Sequence, residues 1–278
     1  MPPLDDYLVA VVVGMLAGAH AATWGMYKDA IHEGFTWPKY CRSIIVAGFL
    51  GPVVQALFQT DVGTAAGLVV LFGATYAAER FVHEFYKTFL RREDQSKYFI
   101  PMALSVGGVV VRNQVARTTV GMAYLAAIAL AGLSVRLYQV SFAPLDAGVL
   151  PIIVIGSVGG WISAFGGAWK DAPLEGFELR KFFRSPLLAL GYAVGLAGLT
   201  DDYLLIAIAA LGYTVATTET YKTFFFPSVP RGKFAGKPVL FPAMLQRRKR
   251  FVLLYVAIWL AVLAAAVIAI LQPRHGLW

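Results

Sequence analysis

Apolar and polar residues fall in long alternating blocks along this chain, not at the period of an amphipathic helix or a strand. Apolar stretches near 8–25, 44–58, 62–78, 118–135, 147–168, 186–199, 203–217 and 251–271 are joined by connections that hold most of the charge. Some fall short of the roughly 20 residues a helix needs to cross hydrocarbon, and flanking Gly, Ala, Thr and Tyr supply the missing turns. The pattern predicts an all-α polytopic membrane protein. The apolar stretch after Tyr98 and its weaker counterpart from Lys237 to Leu245 are too short or interrupted to span, so both are expected to be interfacial or re-entrant.

The blocks also repeat. Between Tyr27–Ser43 and Trp169–Ser185, nine of 17 positions are identical, including Lys28-Asp29-Ala30 with Lys170-Asp171-Ala172 and Glu33-Gly34-Phe35 with Glu175-Gly176-Phe177. A second pair follows, Glu84-Phe85-Tyr86-Lys87-Thr88-Phe89 and Glu219-Thr220-Tyr221-Lys222-Thr223-Phe224. Such self-similarity reads as internal duplication. The expectation is one membrane domain, 1–278, built from repeats 1–140 and 141–278. An even number of spans in each half returns the chain to its starting side. Eight helices in two parallel four-helix repeats, related by a pseudo-twofold axis along the membrane normal, therefore follow.

Local signals refine the element ends. Gly34 and Gly176 are placed to end helices. Ser43, and Ser185 before Pro186, read as N-caps of the next helices. Thr200 or Asp201 is expected to cap the helix after 202. The small-residue runs Gly14–Gly18 and Gly156–Gly160, with Gly63/Gly67 and Gly191/Gly195, read as close helix contacts; Gly166-Gly167 is expected to bring backbone near the charged cluster.

Composition places the chain among membrane proteins: 58% apolar, 14% charged, mean hydropathy +0.66. No basic stretch precedes the first apolar run, so that run is expected to be retained. The single cysteine, Cys41, leaves neither a disulfide nor a cysteine metal cluster. The net charge of +8 sits in alternate connections, while the others carry Asp61, Asp146, Asp201 and Asp202, with Arg136 as the basic exception. That bias puts the basic connections inside a cytoplasmic membrane and both termini outside. Anionic phospholipid accounts for the charge, and nucleic acid is not expected.

The repeated charges are the candidate site: Lys28, Asp29, Glu33, Lys39, Arg42, Glu84 and Lys87 in the first half, and Lys170, Asp171, Glu175, Lys181, Arg184, Glu219 and Lys222 in the second. Asp29 and Glu33 share a helix face as like charges, which calls for compensating Lys39, Arg42 or Lys87; Lys181, Arg184 or Lys222 answer Asp171 and Glu175. A structural ion-pair network is one reading. Another is that the acids hold bases ready for a phosphate or carboxylate, and a third is a divalent metal on Asp29, Glu33 and Glu84 or on their duplicates. Tyr86 and Tyr221 read as interfacial anchors. His20, His32, His83 and His275 are not duplicated and do not suggest a metal or haem pair. The loop 227–238 mixes Gly, Pro and basic residues but lacks P-loop spacing. The chain also lacks aspartate-rich lipid-transferase signatures and an intramembrane Ser/His arrangement.

The functional expectation is a transporter or channel for a small anionic solute or lipid headgroup at a basic cytoplasmic-side vestibule. The alternatives are an interfacial enzyme acting on a phosphorylated lipid and a non-catalytic subunit that docks a membrane-protein partner or a second copy. The sequence assigns no cofactor.

Overall fold

The apolar blocks form long helices because hydrocarbon leaves backbone N–H and C=O groups no partner but each other. A computed structural model describes residues 3–95, 98, 102–141, 149–226, 234, 236–273 and 276–277, with the side chains of 170, 171 and 173–175 outside that description. The long helices are α1 (Leu4–Glu33), α2 (Trp37–Phe58), α3 (Ala65–Phe85), α4 (Gln114–Ser141), α5 (Val149–Glu175), α6 (Leu179–Leu196) and α7 (Tyr203–Phe224). A single-turn α8 (Met244–Arg247) leads through a 3₁₀ turn into α9 (Val252–Leu271). Among the described residues, seven helical segments are long and apolar enough to cross a membrane: α1, α2, α3 with its extension, α4, α5, α7 and the run from α8 through α9. The fold is therefore all-helical and of membrane type. Its hydrophobic outer surface is ample, with Leu253, Val140 and Leu271 each more than three-quarters exposed.

Two helical hairpins, α1/α2 and α5/α6, turn alike. Gly34 and Gly176 have φ of 77° and 80°, a conformation that costs most side chains energy, and their N–H groups close onto Ala30 and Ala172. Helix resumes within a few residues, at Trp37 and Leu179. Ser43 and Ser185 are consequently not N-caps: both lie inside α2 and α6 and are buried. The charged and aromatic residues before them, which read as connection, sit on the first turns, where a helix end outside the hydrocarbon accommodates them. Small size is what both serine sites use. A Cβ on Gly18 would fall 2.3 Å from the Ser43 carbonyl, and one on Gly160 would fall 2.6 Å from that of Ser185.

The expected small-residue contacts hold at Gly14, Gly18, Gly156 and Gly160, and Gly67 abuts the Asp61 carbonyl. Gly191, Gly195, Gly166 and Gly167 instead have nothing within 4 Å of a hypothetical Cβ. The closest approach between α3 and α7 is at Gly212, whose added Cβ would stand 1.9 Å from the Gly73 carbonyl. Tyr213 secures that crossing by donating to the Val69 carbonyl at 2.7 Å. The cap of α7 is Asp202, which accepts from Leu205 N–H at 2.9 Å. Thr200 and Asp201 lie too far upstream because the helix starts at Tyr203.

Neither short apolar stretch contains a described helix able to span. Ser105–Val106 (β1) and Val109–Val110 (β2) pair as a hairpin, which hangs from the end of α3 by the Leu104 N–H bond to Thr88. Residues 96, 97 and 99–101 lie outside the described residues. In the other stretch, Leu240 and Phe241 both donate to the Ile31 carbonyl, so the chain passes under the end of α1. Most of the loop 227–238 and His275 are outside the described residues; Phe234 is buried and stacked on His32 at 4.4 Å.

Candidate functional site

The ends of α1, α3 and α7 converge with the start of α2, and a cavity of about 380 Å³ opens among them. Lys28, Asp29 and Glu33 reach its wall from the last turns of α1, and Lys39 and Arg42 from the first turns of α2. Glu84 and Lys87 come from the end of α3 and the π-helical turn Tyr86–Leu90 that continues it, and Glu219 and Lys222 from α7. A second cavity, of about 740 Å³, lies against α5, α6 and α7 and is lined by Lys181 and Arg184. Val215, Glu219 and Lys222 line both cavities. Every candidate whose side chain is described thus lines one cavity or the other. The side chains of Lys170, Asp171 and Glu175 lie outside the described set. Tyr221 lines the second cavity, whereas Tyr86 lines neither.

Partners cross between the halves. Lys28 donates to Glu219 at 2.8 Å, and Lys222 approaches the other oxygen of that carboxylate at 3.6 Å. The acid that holds Lys28 is therefore 191 positions away, not in its own repeat. Lys87 goes to Glu84 at 3.3 Å and Lys181 to Glu178 at 3.0 Å. Lys39 and Arg42 are exposed and carry no ion-pair partner among the described residues. Seven basic side chains line the first cavity against four acidic ones, so ion pairing inside it leaves net positive charge.

Three further residues belong to this charged cluster, and the repeat does not mark them: Glu79, Arg80 and His83. Glu79 is fully buried. Arg80 takes both of its oxygens, at 2.5 and 2.7 Å, and His83 Nδ1 lies 2.8 Å from Oε1. The Arg80 guanidinium and the Lys28 ammonium also lie over the Trp24 ring, 5.4 and 4.5 Å from its centroid. Arg80 and His83 line the first cavity. The signal for them was an ion-pair-forming Glu-Arg at the end of a long apolar run, where charge is costly and usually has a function. At the 135-residue offset of the second motif the counterparts are Thr214, Val215 and Thr218, so the three carry no repeat signal.

Beyond the charged cavity lies an aromatic layer. His20 is buried, 4.2 Å from the Tyr255 ring and 5.1 Å from that of Trp259, with Nδ1 3.3 Å from the Tyr76 hydroxyl. Trp24 Nε1 donates to the same hydroxyl at 2.7 Å. His20 and His83 thus have separate surroundings. Among the described residues, no three His, Cys, Asp or Glu side chains are placed to hold a metal ion; Asp29, Glu33 and Glu84 line the cavity without forming such a set. The chain matches no protein-family model, no characterised relative and no solved structure.

Proposed function

We propose that the protein is an integral membrane transporter that receives a small anionic solute or an anionic lipid headgroup in the first cavity. The observation that carries this reading is the unpaired basic side chains on its wall: Lys39 and Arg42 are left free while acids hold Lys28, Lys87 and Lys222 in place. Charge-assisted bonds from a guanidinium fork and an ammonium suit phosphate, sulfonate or carboxylate oxygens. The volume lies within the range of small-ligand sites. The aromatic layer around His20, Tyr76, Tyr255 and Trp259 backs the cavity, which favours a transporter closed on that side over an open channel.

In this proposal α6, whose first turns hold Arg180, Lys181 and Arg184, is the eighth spanning helix. The matched turns at Gly34 and Gly176 and the matched crossings at Gly18 and Gly160 support two parallel repeats. The basic ends face the cytoplasm and both termini lie outside, where anionic phospholipid of the inner leaflet meets the remaining cations.

The test is uptake of labelled phosphate and small organic anions into proteoliposomes, for the wild type and for Lys39→Gln with Arg42→Gln. Uptake should fall at least tenfold in the double variant. Uptake unchanged by it would remove the cavity from the pathway. One observation favours the rival reading of an interfacial enzyme on a phosphorylated lipid: Glu79, Arg80 and His83 occur in one half only. That rival calls for a cleft in one half and a filled site in the other, whereas both halves hold a cavity. Mass spectrometry of lipids incubated with the protein decides it, since turnover without transport would reverse the order.

A further inference from the structure

We propose that the Glu79–His83 pair is a proton-binding site on the cavity wall, and that the anion moves together with a proton taken up on His83. This rests on the transport reading above. The geometry fixes which ring nitrogen is involved. Nδ1 faces two acceptors, Oε1 of Glu79 at 2.8 Å and the Glu79 backbone carbonyl at 3.1 Å, so it must carry hydrogen. Nε2 is then the atom that gains or loses a proton. In the neutral ring Nε2 presents a lone pair and repels an anion's oxygens; in the imidazolium it presents an N–H that donates to them. One proton therefore turns an acceptor on the cavity wall into a donor.

Glu79 itself does not answer that proton. Arg80 occupies both oxygens of Glu79 and neutralises it, so the charge gained by His83 is felt by the cavity. On the surrounding walls, α1 presents Lys28, Asp29 and Glu33, and α2 presents Lys39 and Arg42. From α7 come Glu219 and Lys222, and from the helix of His83 itself and its continuation come Arg80, Glu84, Lys87 and Arg91. Glu219 is engaged by Lys28 and Lys222, and Glu84 by Lys87. Asp29 and Glu33 stay on the α1 wall, and an entering anion joins them in answering the added charge. Linkage makes the effect reciprocal: whatever factor a proton adds to anion affinity, the anion adds to proton affinity. Restriction of Glu79, Arg80 and His83 to one half means one such site per chain, and hence one proton per transport cycle.

The experiment uses the full-length protein in proteoliposomes clamped at zero potential with valinomycin and equal potassium. The probes are radiolabelled sulfate and methanesulfonate, whose charges do not change across the neutral pH range, so that a pH gradient acts on the protein and not on the probe. A gradient of one pH unit, acid outside, should drive accumulation toward about tenfold over the equilibrium level in the wild type, the ratio set by one coupled proton. His83→Gln and, separately, Glu79→Gln, each shown to be folded by monodisperse elution and a wild-type circular dichroism spectrum, should carry the probe more slowly and bring it to equilibrium without accumulating it. Accumulation in His83→Gln equal to the wild type would overturn the proton site. So would a wild type that carries the probes but never concentrates them, and in both cases the transport reading stands. A wild type that moves neither probe would remove the transport reading and this inference together.

Discussion

Lys28→Met and Glu219→Gln, singly and together, measure how firmly the end of α1 is tied to α7. At 2.8 Å the attraction between two unit charges is about 6 kcal/mol for an effective dielectric near 20, and desolvation of the mostly buried pair removes most of it. Lys28→Met leaves Glu219 with Lys222 at 3.6 Å, so the loss should be about 1–3 kcal/mol. Glu219→Gln takes the acid from both lysines, and its loss should approach the roughly 3–5 kcal/mol of a broken buried pair. The double variant should lose less than the sum, with a coupling of about 1–3 kcal/mol. Unfolding by SDS in mixed micelles, followed by circular dichroism, supplies the four free energies. A coupling under about 0.5 kcal/mol would mean that the contact joins the two halves without stabilising either.

Other substitutions probe separate features. Gly34→Ala should cost about 1–3 kcal/mol by thermal unfolding, because φ 77° and ψ 168° is a region almost closed to side chains. Gly212→Ala should cost about 1–3 kcal/mol, as α3 and α7 must part to admit a methyl group 1.9 Å from the Gly73 carbonyl. Gly191→Ala, with open space around it, should be neutral or gain up to about 1 kcal/mol. Arg42→Gln alone should weaken retention of phosphate by about tenfold in equilibrium dialysis, the scale of one hydrogen bond to a charged group, and added salt should narrow the difference.

Helices are legible in the sequence where burial of apolar side chains and backbone dominates, and their ends are not, because polar residues are tolerated there. Trp37 to Arg42 looked like a connection because it is charged and aromatic, yet those residues form the opening turns of α2. Gly34 and Gly176 were legible because a helix stop that needs positive φ leaves a glycine behind. The repeated motif picks out residues that line the two cavities but not their pairings: nothing local links Lys28 to Glu219, since only the folded arrangement of α1 against α7 brings them together. Glu79, Arg80 and His83 were hidden for the opposite reason, being local but unduplicated. Burial is what singles them out, since a carboxylate with no exposure must be fully engaged.

The most direct test of anion handling is an experimental structure of the protein in lipid nanodiscs, determined with and without saturating sulfate or phosphate. Density for an anion is expected in the first cavity, within hydrogen-bonding distance of Lys39 and Arg42, with Lys28 still on Glu219. A cavity occupied by a lipid acyl chain, or by Asp29 and Glu33 folded onto Lys39 and Arg42 in the presence of the anion, would contradict that expectation.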